Sequence, residues 1–134
     1  GAEKLGIAHC IGLSAEAAAL LEILEAHDFQ VLTLACKCSS LSKEEIGLAD
    51  EEKVHPGQYE AVCNPLAQAE IFNRRQTDLN VLVGLCVGHD TLFFRYSEAP
   101  VTVLVAKDRR LGHNPVAALY QSNAYYKWLK EPGD

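Results

Sequence analysis

The sequence predicts an α/β fold: a three-layer, doubly wound parallel sheet of about four strands in the order 2-1-3-4. Three observations predict it. Short apolar runs alternate with segments of helical periodicity along most of the chain. Helix-start signals stand where strands hand over to helices, at Ser14, Asn64-Pro65 and Asn114-Pro115. The 134 residues, 49% of them apolar, suit a single domain (residues 1–134) with a real core.

Taken in order, Lys4 to Cys10 reads as the first strand, with Leu5, Ile7 and Ala8 apolar. Ser14 is the expected N-cap of the first helix, and Glu16 places negative charge in its first turn. Leu20, Leu21, Ile23 and Leu24 recur at helical spacing, and the helix is expected to end near His27-Asp28. Phe29 to Cys36 is the second strand, apolar enough to be covered on both faces. From Lys37 to Asn64 the pattern lapses into serines and charge, with a helical turn expected near Lys43 to Ile46. A connection this long reads either as a surface excursion or as a lid over a site.

Asn64-Pro65 caps the next helix, whose apolar face is Leu66, Ala69, Ile71 and Phe72. Asn80 to Gly84 is the third strand. A helix over Thr91 to Tyr96 follows, then a turn at Ser97 to Pro100, then a fourth strand from Val101 to Ala106. Lys107 to His113 is a charged loop, and a last helix is expected from Pro115 to about Leu129. The resulting βαβ-loop-αβαβα order is flavodoxin-like or Rossmann-like. Such folds bind ligands beyond the C-terminal ends of the strands, where the strand order reverses.

Composition narrows the function. A net charge of −6 offers no basic footprint for nucleic acid. No apolar run approaches the ~20 residues that span a bilayer, and Glu3-Lys4 leads at once into a strand-like run rather than a signal peptide. Five cysteines, an odd number without an export signal, favour reduced thiols over a disulfide framework, so a cytoplasmic location is expected. The chain begins Gly1-Ala2 and has no methionine, so natural residues upstream are expected.

Those cysteines fall at strand ends. Cys10 ends the first strand, Cys36 the second, and Cys86 the third, with His89 three residues on. Cys63 precedes the helix that leads back to the third strand, and His113 follows the fourth. In the order 2-1-3-4 the first three strand ends are neighbours, ~4.8 Å apart per strand. Two chemistries suit this edge. One is a thiophilic metal, zinc or iron, held by Cys10, Cys36, Cys63 and Cys86, with His89 as a further ligand. The other is covalent catalysis by Cys86, with His113 or His89 as base and Asp90 or Asp108 orienting it. Gly84-Leu85-Cys86-Val87-Gly88 would present that thiol on a tight strand-to-helix turn. The string Gly84 to His89 looks like the nucleophile elbow of class I glutamine amidotransferases, without their late His-x-Glu pair. A third reading is a module for a small anionic ligand, using the helix N-termini at Asn64-Pro65 and Asn114-Pro115. The expected partners are a metal ion or a small molecule, with a homo-oligomer allowed. Nucleic acid, membrane and nucleotide cofactors are not expected.

The chain also resembles, from Lys4 to about Lys127, the uncharacterised prokaryotic family DUF1847. The resemblance is carried by Cys10-Ile11-Gly12-Leu13, His55-Pro56-Gly57-Gln58, Cys63-Asn64-Pro65, Gly84 to Asp90, Lys107-Asp108-Arg109 and Leu111 to Pro115. It implies the label "metal-binding" that such proteins often bear, no assigned reaction, and a cysteine-rich segment upstream of Gly1.

Overall fold

The computed structural model describes residues 1–131. Four parallel strands, β1 (Lys4–His9), β2 (Gln30–Ala35), β3 (Leu79–Val83) and β4 (Val101–Val105), form one sheet in the order β2-β1-β3-β4. This is the α/β topology expected from the alternation of patterns. Helices α1 (Ser14–Glu25), α2 (Pro65–Arg75) and α3 (His89–Tyr96) connect the strands, and a short α4 (Val116–Tyr120) follows β4. The chain steps outward from β1 to β2, then returns past β1 to β3 and on to β4. With right-handed crossovers, that reversal places α1 on one face and α2 with α3 on the other.

The core lies between these layers. Ile7, Phe72, Phe93, Leu82 and Leu13 are all but removed from solvent, each side chain contributing about 1.5–3 kcal/mol. Phe72 of α2 meets Phe93 of α3 edge to face, with ring centroids 5.9 Å apart. Two buried amides tie this layer to the sheet. Asn80 accepts from Thr77 Oγ1 at 2.8 Å and donates to Ser97 Oγ at 2.9 Å. Gln68 Nε2 donates to the carbonyls of Leu34, at 2.8 Å, and His9, at 3.3 Å, pinning α2 over the ends of β1 and β2.

Four local expectations are corrected. Ser14 does not cap α1: a 3₁₀ turn at Ile11–Leu13 precedes that helix, and Ser14 Oγ donates back to the Ile11 carbonyl at 2.8 Å. The turn is capped instead by Cys10, whose Sγ accepts from Gly12 N. Second, β2 is an edge strand and is only partly buried, because its one neighbour is β1. Third, the helix expected from Pro115 to Leu129 stops at Tyr120 and gives way to turns and a 3₁₀ turn at Lys127–Lys130. Gln121-Ser122-Asn123 interrupts it, since short polar side chains compete for the backbone's hydrogen bonds. Fourth, Asn114 makes no side-chain cap for α4, whose N-cap is Pro115. Asn64 does cap α2, accepting from Ala67 N at 2.9 Å.

The segment from 37 to 64 is built rather than loose. Leu41–Lys43 and Glu60–Val62 run antiparallel, with Lys43 N donating to the Glu60 carbonyl at 2.9 Å and Val62 N to that of Leu41 at 2.8 Å. Glu44–Ile46, where a helical turn was expected, and Asp50–Glu52 are 3₁₀ turns. Between them the Lys53 side chain is buried, donating to Glu44 and Asp50, each at 2.6 Å, and to the Gln58 carbonyl. The base of the excursion is closed by Asn64 N donating to the Cys36 carbonyl at 2.7 Å.

Candidate thiol site

That closing bond explains the first half of the site. Cys36 ends β2 and Cys63 begins the approach to α2, 27 residues on; pinning Asn64 to the Cys36 backbone brings their sulfurs to 3.4 Å. Cys36 Sγ also accepts from Ile11 N at 3.4 Å, at the turn that follows β1. Cys10 stands in the same turn, its Sγ accepting from Gly12 N at 3.4 Å. Three of the predicted cysteines therefore meet beyond the C-terminal ends of β1 and β2.

The second half is built by the elbow after β3. Gly84 and Gly88 both have left-handed backbones, with φ of 67° and 91°. A Cβ on Gly84 would stand 2.1 Å from Leu13 Cδ1, so the turn lies directly against the first helix's entry. The turn sets Cys86 ahead of α3, where the Cys86 carbonyl accepts from His89 N at 2.8 Å.

Lys107, which follows β4, joins the two halves. Its Nζ donates to Cys10 Sγ at 2.5 Å and to Cys86 Sγ at 3.5 Å. In the sequence Lys107 falls in a charged loop, outside the nucleophiles, ligands and bases that the residue types mark. The signal was the position: Lys107 occupies, at the fourth strand end, the place that cysteines occupy at or just beyond the other three.

The electrostatics follow from these contacts. Burial pushes the Cys10 thiol up, but the Lys107 ammonium and Gly12 N–H outweigh it and hold the group below the ordinary thiol value. Burial, reinforced by the neighbouring Cys63, pushes Cys36 up to about 12. Burial alone would lower Lys107, but the thiols it touches raise it, so it keeps its proton. The result is a thiol biased towards its ionised form beside one that is held protonated and can hydrogen-bond to it.

A cavity of about 650 Å³ opens over this edge, walled by Cys10, Cys63, Cys86 and His89 and roofed by His55 and Tyr59 of the excursion. Residues of the excursion therefore form part of the wall of this cavity. A second cavity of about 470 Å³ adjoins it across Cys86 and Arg109.

The remaining predicted residues are placed differently. His89 lines the larger cavity, and its Nδ1 is buried without a hydrogen-bond partner. His113 accepts from Asp108 N at 3.1 Å through Nδ1 and lines neither cavity. Asp90 and Asp108 turn their carboxylates onto local backbone N–H groups, of Gly88 and Thr91 and of Arg110 and Leu111. Cys38 lies outside the cluster, half-buried, with its thiol pushed up by burial. Among the described residues, no group of three or more His, Cys, Asp or Glu side chains is arranged to hold a metal ion. No helix among the described residues is long and apolar enough to cross a membrane.

Comparison with known proteins agrees with the sequence resemblance. The family described as "Protein of unknown function (DUF1847)" matches residues 1–104. An uncharacterized protein of Methanocaldococcus jannaschii is 47% identical over 129 residues, covering 96% of this chain. The chain spans 64% of that relative's length. No solved structure matches. With the match extending over most of its length, the chain belongs to the DUF1847 family.

Proposed function

We propose that the protein works by thiol chemistry at the C-terminal edge of its sheet, with Cys10 as the ionised nucleophile. The observation that carries this reading is the Lys107 ammonium donating to Cys10 Sγ at 2.5 Å. A thiolate, not a thiol, is the nucleophile, and an adjacent cation together with a backbone N–H is the ordinary means of making one. The reading keeps the expected cysteine nucleophile but moves it from Cys86 to Cys10. Cys86, on its elbow, shares Lys107 and faces the same cavity, where it contributes a second sulfur to the reacting volume. Cys36, kept protonated, donates a hydrogen bond towards Cys10.

The second reading is a thiophilic metal site, zinc or iron. It is favoured by the 3.4 Å between Cys36 and Cys63. Tetrahedral zinc places its sulfurs about 3.8 Å apart. Cys10, Cys36 and Cys63 would supply three ligands, and Cys86 or His89 a fourth. The ammonium between Cys10 and Cys86 stands against it, because a cation already occupies the position a metal would share with both sulfurs.

The Lys107→Met variant separates the two. Under the thiol reading, anaerobically purified protein carries no stoichiometric zinc or iron by elemental analysis, and the variant loses the fast-reacting thiol. Near-stoichiometric metal that is retained or raised in the variant would replace the first reading with the second.

A further inference from the structure

The charges around the larger cavity have the opposite sign to the chain as a whole. The protein carries a net charge of −6. Yet Lys37, Lys43, Arg109 and the imidazoles of His55 and His89 face this cavity, with Glu60 as the one carboxylate. Glu60 is already committed: its carboxylate takes the Lys43 ammonium at 2.5 Å and His55 N at 2.6 Å. Lys43 holds it down to about 2. That pair cancels, leaving Lys37 and Arg109 as the cations of this cavity without an ion-pair partner among the described residues, while Lys107 lines the adjoining cavity and bonds to Cys10.

Arg109 is the more telling of the two. It lines both cavities, and among the described residues no carboxylate lies within ion-pair distance of it. Its neighbour Arg110 is otherwise engaged, lying over the Trp128 ring at 5.3 Å. In the adjoining cavity Asp108 has its carboxylate turned onto its own loop. A planar guanidinium with five N–H donors and, among the described residues, no carboxylate partner suits a carboxylate or a phosphate, which it grips through two parallel bonds. The volume, about 650 Å³, is that of a small-molecule site.

We propose that the substrate that reaches the thiols is a small oxyanion-bearing molecule, a carboxylate or a phosphate ester. Arg109 and Lys37 hold its charged end, and its electrophilic atom lies over Cys10. This rests on the thiol reading above and names the substrate class for it. It locates the anion site on the cavity rim and not at the helix starts Asn64-Pro65 and Asn114-Pro115, the second of which heads a helix of only five residues.

A matched pair of alkylating reagents tests it. Iodoacetamide is neutral; iodoacetate carries a carboxylate on the same skeleton. In both, the thiolate sulfur forms a bond to the methylene carbon as the carbon–iodine bond breaks and iodide leaves with the electron pair. The readout is the ratio of iodoacetate to iodoacetamide rates at Cys10, measured by mass mapping. The Arg109→Gln variant should lower that ratio about tenfold, the rate equivalent of one charge-assisted hydrogen bond. Arg109→Lys should lower it less, and raising the salt should lower it in the unaltered protein. Inorganic phosphate and succinate, each added alone, should slow labelling by either reagent, and the stronger protector distinguishes phosphate from carboxylate. An unchanged ratio in both Arg109→Gln and Lys37→Gln overturns the substrate class while leaving the thiol reading intact. Slow reaction of Cys10 with both reagents overturns the thiol reading itself.

Discussion

Two segments flank the thiol edge, and they are ordered by opposite means. The excursion from 37 to 64 is held by charge. Its lysine Lys53 is 7% exposed and meets two carboxylates and a carbonyl, and Lys43 pairs with Glu60. The segment from 114 to 131 is rich in apolar and aromatic residues, yet Leu119, Tyr120 and Tyr125 are 69%, 78% and 86% exposed. Among the described residues it takes part in no ion pair. Polar residues with partners built a roof; apolar residues left exposed built only the five-residue α4. Hydrophobic periodicity reports what a segment can bury, not whether anything is there to receive it.

The comparison can be broken at its common floor first. Gly84→Ala forces a Cβ into Leu13 and a non-glycine residue into a left-handed turn. The expected cost is about 3 kcal/mol, from overpacking and backbone strain together. Thermal unfolding should show a fall in Tm, with both flanking segments cut faster by protease. A next test touches one side alone. Lys53→Met leaves Glu44 and Asp50 facing each other without their cation. Amide exchange should accelerate across 43 to 60 and remain unchanged across 114 to 131.

Acid should act on the same side. The Lys53 ammonium holds the Glu44 and Asp50 carboxyls below their ordinary values, and Lys43 brings Glu60 to about 2. Acids depressed in the folded state contribute stability above their unfolded values, and that contribution is lost as pH falls through the folded ones. The excursion should therefore open between about pH 4 and pH 2, followed as protease sensitivity or exchange within 43 to 60. Equal loss at the two segments would contradict the division. The smallest effect is expected for Tyr125→Ser: within about 0.5 kcal/mol by denaturant unfolding, since the ring is exposed.

What the sequence disclosed follows the same division. Strand order and the gathering of Cys10, Cys36 and Cys63 were legible because apolar alternation fixes a parallel sheet and a parallel sheet aligns its strand ends. The Asn64 cap was legible because its partner lies three residues away. Three features were not. Lys107 reaches Cys10 across 97 positions: its place at the fourth strand end could be read, but nothing local marks the pairing. The Lys53 network lies in a stretch whose composition reads as solvated loop. The end of α4 at Tyr120 falls at Gln121-Ser122-Asn123, polar positions masked by the apolar and aromatic residues on either side.

Ionisation of Cys10 by Lys107 is the step on which the proposed chemistry turns. It is tested most directly by labelling with limiting iodoacetamide at pH 7 and mapping the rate at each of the five cysteines. The account predicts that Cys10 reacts well ahead of Cys36 and Cys38. Its rate should persist to lower pH than that of an ordinary thiol, and should fall about tenfold or more in Lys107→Met. A single slow rate for all five thiols, or a Cys10 rate unmoved by Lys107→Met in a variant that melts normally, would contradict it.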